Sequence, residues 1–197
     1  MRSDRTVPNI PGPAERAVYT TRESPPGSRA KLLDVIAKAA YDNNRAYEGC
    51  SRCVLWALQT HMRRPDDGAL RASTAMAGGV ARMGETCGAL LGGLMFAGQI
   101  LAREDLADFD AYVDTMQVAA EIFGRFRREF GTTRCHEIQE ERLGRTFDFF
   151  EEEDREAWYR GGGLEVCPLV CAEAARITAD VLLPEEYGSE IDAGPGF

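Results

Sequence analysis

The chain is 197 residues long, 44% apolar and 28% charged, which suits one folded domain with a substantial core and leaves no room for two full ones. Its 23 basic and 32 acidic residues leave a net charge of −9, which argues against nucleic acid as the main partner and against anchoring on an anionic membrane. The most apolar run, Cys87 to Leu101, is shorter than the ~20 residues a membrane span needs, so no membrane span is expected.

Residues 1–27 carry arginines and five prolines but no apolar central run of the kind a signal peptide has. They read as a disordered or loosely docked tail, and the chain as cytoplasmic. From residue 28 to residue 183 the pattern is helical, and a polar tail, 184–197, is expected to fray. Leu32, Leu33, Val35, Ile36 and Ala39 predict a first amphipathic helix capped by Ser28. Gly49 breaks it, and Cys50 to Met62 predicts a second helix. Asp66 or Asp67 caps a short third helix through Met76.

Gly78-Gly79 and Gly84 bracket a turn before a fourth helix, Glu85 to Arg103. Its Gly88-xxx-Gly92 and Ala89-xxx-Gly93-xxx-Ala97 spacings cost helix propensity, about 1 kcal/mol per glycine. That cost makes sense only if another backbone packs very close, at the centre of a bundle or across a dimer. A fifth helix, Leu106 to Phe130, is expected to bury Phe109, Tyr112, Val113, Met116, Ala120, Phe123 and Phe126, with Gly131 as its stop. Cys135 opens a short helix through Leu143. Glu151 to Asp154 is an acidic first turn before Trp158-Tyr159, and Gly161 to Gly163 break the chain. Cys167-Pro168 then starts a last helix to Leu182, proline suiting a first turn. The fold class is all-α: a single-domain bundle of about six to eight helices.

Six cysteines in a reducing compartment point to ligands, redox thiols or core fillers more than to disulfides. Cys50, Cys87, Cys135 and Cys167 all fall where helices are expected to start. The dipole and free N–H groups there favour thiolate, the form that binds soft metals and attacks disulfides. Cys50-Ser51-Arg52-Cys53 is a CxxC, and Cys167 and Cys171 share a helix face. Taken singly, Cys53 and Cys171 read as buried packing residues. His136 beside Cys135 is at most a neighbour that supports a ligand, and His61 reads as surface. Met76, Met83 and Met95 read as core. No P-loop, dinucleotide fingerprint, HExxH or Ser-His-Asp order is present.

The set Cys50, Cys87-Gly88-Ala89-Leu90-Leu91-Gly92, Cys135 and Cys167 resembles the redox-active protein family named for its C_GCAxxG_C_C pattern. Gly49-Cys50-Ser51, Gly84-Glu85-Thr86 ahead of Cys87, Phe130-Gly131 ahead of Cys135, and Cys167-Pro168-Leu169-Val170 fit the same family. The resemblance spans about residues 30–182. It implies an all-helical domain with four shared cysteines and a redox role. A related domain occurs in a dimeric split-Soret type cytochrome, where the family suggests an iron–sulfur centre beside the haems. This chain has no CxxCH, so the haem part does not carry over. It departs further in having Cys53, Cys171 and the long N-terminal tail.

Three functions compete. The first is an iron–sulfur protein, with zinc as the alternative metal, held by Cys50, Cys87, Cys135 and Cys167, with Cys53 and Cys171 as possible extra ligands. It would serve electron transfer or redox sensing with a protein redox partner. The second is a metal-free thiol–disulfide oxidoreductase acting through Cys50 or Cys53. The third is a non-catalytic helical interaction domain whose cysteines are core. A homo-oligomer, most simply a dimer, is expected under all three.

Overall fold

The structure, a computed structural model, describes residues 29–184. Ser28, the tail 1–27 and all of the tail 184–197 except Pro184 lie outside the described residues. The all-α expectation holds. Among the described residues eight α-helices run in chain order: α1 (Arg29–Tyr47), α2 (Cys50–His61), α3 (Asp67–Ala72), α4 (Gly88–Leu101), α5 (Phe109–Phe130), α6 (Cys135–Leu143), α7 (Glu152–Arg160) and α8 (Gly163–Leu182). A 3-10 turn over Ser73–Met76 prolongs α3. Among the described residues no helix is long and apolar enough to cross a membrane.

The core follows from where the apolar stripes meet. Leu32, Leu33, Ile36 and Ala40 line the inner face of α1, which lies along α8, where Ala174, Ala175 and Ile177 face inward. Helix α4 is packed among α2, α5 and α8, and its glycines are what let it in. A Cβ on Gly92 would stand 2.3 Å from the carbonyl oxygen of Ser51, and one on Gly93 would stand 2.2 Å from Oγ1 of Thr178. The small-residue spacing is therefore used within the chain, and no second copy is needed to account for it.

Several boundaries and faces depart from expectation. Helix α4 starts at Gly88, not Glu85, because the preceding residues pair with another segment. Thr86 forms an isolated antiparallel bridge with Arg134, and the Cys87 N–H donates to the Thr133 carbonyl at 2.8 Å. Helix α8 starts at Gly163, so Cys167 is its fifth residue and not a helix start. Pro168 thus sits inside the helix, where it cannot bond the carbonyl four residues back; that carbonyl, of Leu164, accepts from Arg45 at 3.4 Å. In α5 the inward residues are Thr115, Val118, Ile122, Phe126 and Phe130. Of the expected stripe, Phe126 is buried and Phe123 packs against the core, but its centre is rotated from the packed face by about one residue, ~100°. Phe109, Tyr112 and Met116 are 68%, 56% and 45% exposed. Met83, expected in the core, is 61% exposed.

Candidate functional site

The bridge between Thr86 and Arg134 immediately precedes both Cys87 and Cys135. Two helix starts, remote in sequence, are thereby held side by side, and the Cys135 N–H donates to the Glu85 carbonyl at 2.6 Å. Gly49, at φ 79°, turns the chain so that Cys50 opens α2 toward the same place. A Cβ on Gly88 would lie 2.5 Å from the Cys50 sulfur, so this glycine is the gap that admits it. Cys167 joins from the second turn of α8.

These four sulfur-bearing residues line one cavity of about 140 Å³. Its volume equals that of four or five waters, more than a single ion needs. Cys53 and Cys171 do not line it. Each lies about one helical turn further along from a cavity cysteine, fully inside the core. The Cys53 thiol donates to the Glu48 carbonyl at 3.1 Å, and the Cys171 sulfur lies 4.0 Å from the Cys50 carbonyl oxygen. Among the described residues, no three His, Cys, Asp or Glu side chains are placed to share one metal ion.

A left-handed turn roofs the cavity. Gly78, Gly79, Val80, Ala81 and Arg82 have consecutive φ values of 67°, 73°, 60°, 51° and 66°. Such backbone costs roughly 1–2 kcal/mol at each non-glycine residue. The turn is held by the Gly84 N–H to the Gly78 carbonyl at 3.1 Å and the Glu85 N–H to the Gly79 carbonyl at 2.9 Å. Only glycine fits at Gly79, where a Cβ would stand 2.6 Å from Cβ of Cys135. His136 braces the turn and does not line the cavity. Its ring Nδ1 is 2.5 Å from the Gly84 carbonyl oxygen, and its backbone N–H donates to the same oxygen at 3.0 Å.

The thiolate expectation needs correction. Burial is the largest influence on the Cys50 thiol and raises its pKa; the N–H groups of Gly78, Ser51, Cys50 and Gly88 pull the other way without offsetting it. Cys87 is pushed well up by burial and by the Cys50 and Cys135 thiols, although the N–H groups of Ala89 and Leu90 oppose this. Burial and neighbouring thiols likewise raise Cys135 and Cys167. Cys53 is pushed up to about 12, by burial first. The N–H groups at helix starts lower the Cys50 and Cys87 values, but withdrawal from water wins.

Sequence reading missed much of the cavity wall. Gln139 is one turn past Cys135, and its amide donates to the Cys135 sulfur at 3.2 Å; the Cys-x-x-x-Gln spacing on one helix face was the available signal. Trp158 from α7 is 8% exposed and its Nε1 has no hydrogen-bond partner. Tyr159 donates its hydroxyl to the Glu48 carboxylate. Nothing in their local sequence distinguishes these residues from ordinary helix positions.

The domain is all-helical, and four cysteines remote in sequence line one cavity in it. The family model described as "Putative redox-active protein (C_GCAxxG_C_C)" matches residues 48–181, and the chain belongs to that family. The matched stretch contains all six cysteines and the whole cavity wall except Asn44. Neither a curated protein nor a solved structure matches the chain.

Proposed function

We propose that Cys50, Cys87, Cys135 and Cys167 hold an iron–sulfur cluster that serves electron transfer or redox sensing with a protein partner in the cytoplasm. The observation that carries this reading is the meeting of four sequence-remote cysteines on one cavity of about 140 Å³. A single zinc ion suits the site less well. Four sulfurs at ~2.3 Å from one ion stand only ~3.8 Å apart, and among the described residues no three His, Cys, Asp or Glu side chains are grouped for a single ion. A cluster spreads its thiolates over several irons, so a wider ring of sulfurs fits it.

The charges support the same reading. Each cavity thiol raises the pKa of its neighbours, so four thiolates are costly here unless a cation joins them. The N–H groups directed at Cys50 and Cys87, and the Gln139 amide on Cys135, would stabilise thiolate once it forms and tune the potential of what it holds. When bound, the cluster would supply one-electron chemistry; the protein supplies the dry cavity and the donors to sulfur.

The six free thiols, four of them on one cavity, also support a second reading, metal-free thiol–disulfide exchange. Two thiols would give up two electrons and two protons to form a disulfide while a substrate disulfide is reduced to two thiols. Anaerobic reconstitution with ferrous iron and sulfide separates the two. The cluster reading expects bound iron, acid-labile sulfide and broad visible absorption. These should fall with Cys→Ser at 50, 87, 135 or 167 and survive Cys53→Ser and Cys171→Ser. A chain that takes up no iron yet traps a mixed disulfide in one of the single variants would establish exchange instead.

A further inference from the structure

The mouth of the cavity carries charge opposite to that of the chain. Arg82 and Arg155 line the cavity, and Arg52 and Arg82 line an adjoining groove of about 380 Å³ that shares Glu48, Gly49 and Ala77 with it. Among the described residues none of the three guanidiniums is ion-paired. Arg155 donates to the carbonyls of Phe149 and Phe150 at 3.1 and 3.0 Å, and Arg82 to that of Phe149 at 3.4 Å. Arg52 lies over Gly49 at the start of α2. Among the described residues lining the two hollows, Glu48 is the only carboxylate, and it accepts from the Tyr159 hydroxyl. Three guanidiniums thus meet one carboxylate here, on a chain whose net charge is −9.

We propose that this mouth admits a small anionic molecule, one bearing a carboxylate or phosphate, and guides it to the cavity thiols. Together the groove and cavity fall within the size range of small-molecule sites, a few hundred Å³ upward. Arginine's planar fork suits a carboxylate or phosphate oxygen pair, and local positive charge raises the encounter rate of anions. The inference rests on the four-cysteine cavity being the working site, but not on which group occupies it.

The test uses the full chain, reduced and metal-free, with three disulfide probes: anionic dithiobis(nitrobenzoate), neutral dithiodipyridine and cationic cystamine. In each, a cysteine thiolate attacks one sulfur, the probe's S–S bond breaks, and half the probe leaves as thiolate. Rates are normalised to those with mercaptoethanol, a neutral thiol, and the labelled cysteines are mapped by mass spectrometry. The expected result is a preference of about tenfold or more for the anionic over the cationic probe at low salt. It should concentrate on Cys50, Cys87, Cys135 and Cys167 and fade as salt rises. The combined change Arg52→Gln, Arg82→Gln and Arg155→Gln should abolish it, and Arg→Lys at the same places should restore it. The net charge of the chain alone gives the reverse order. Equal rates, a cationic preference, a preference untouched by the Gln changes, or thiols closed to all three probes would overturn the proposal. Failure of iron to bind bears on the cluster alone, because this comparison is made without metal.

Discussion

Val80 holds a β-branched side chain at φ 60°, within five consecutive left-handed residues, and that backbone is tied to two of the cavity cysteines. Strain of this kind persists only where the surroundings over-determine it. Val80→Gly should therefore stabilise the protein by up to about 1 kcal/mol, read as a higher urea midpoint; a lower midpoint would show that the side chain gives more than the backbone costs. The thiols make a second prediction at this scale. Cys53 has a folded pKa of about 12 against an ordinary 9.0, so the folded chain keeps a proton that the unfolded chain loses. Its stabilising effect is complete below the unfolded value and is lost as pH rises from there toward the folded one. The urea midpoint of the reduced, metal-free chain should fall between about pH 8 and about pH 10, and less steeply in Cys53→Ala. A midpoint that is flat across that range would contradict the raised value.

Among the elements, α4 is the one whose composition makes sense only against its neighbours. Its inward glycines replace side chains with the backbone of α2 and with Thr178 of α8. Thr178 donates its hydroxyl to the Ala174 carbonyl of its own helix, so Thr178→Ala removes a contact that costs little elsewhere. Gly93→Ala alone should cost about 1–3 kcal/mol by overpacking. Combined with Thr178→Ala it should cost clearly less than the two single changes summed, because the space for the new methyl then exists. Simple additivity in a double-mutant cycle would mean that the two residues are not the contact that limits the approach of α4 to α8. Helix α8 shows a different balance. Four residues of helix precede Cys167, and the proline after it is tolerated because Arg45 answers the carbonyl it frees.

On the scale of the molecule, the two faces of α5 separate burial from hydrophobicity. Phe126 is wholly buried, while Phe109 is 68% exposed. Phe126→Ala should cost about 3–5 kcal/mol, whereas Phe109→Ser should stay within about 0.5 kcal/mol, both measured by urea denaturation. Similar costs at the two positions would restore the stripe read from sequence. That stripe was chosen for its large apolar residues; the packed one places Thr115 and Val118 inward, and no periodicity over a single helix reports which of two neighbouring faces its partners will cover.

The all-α class was legible in the chain, because 3.6-residue periodicity, Gly131 and the Asp66 cap are local signals. The cost of Gly88, Gly92 and Gly93 likewise announced a close neighbour without naming it. The assembly of the cavity was not legible. It depends on the Thr86–Arg134 bridge, a left-handed turn, and side chains from α6 and α7 that lie far apart in sequence. Nor could position in a helix settle the state of the thiols: dipole and N–H effects are fixed by local sequence, whereas desolvation, the larger influence, exists only once the whole chain has packed around them.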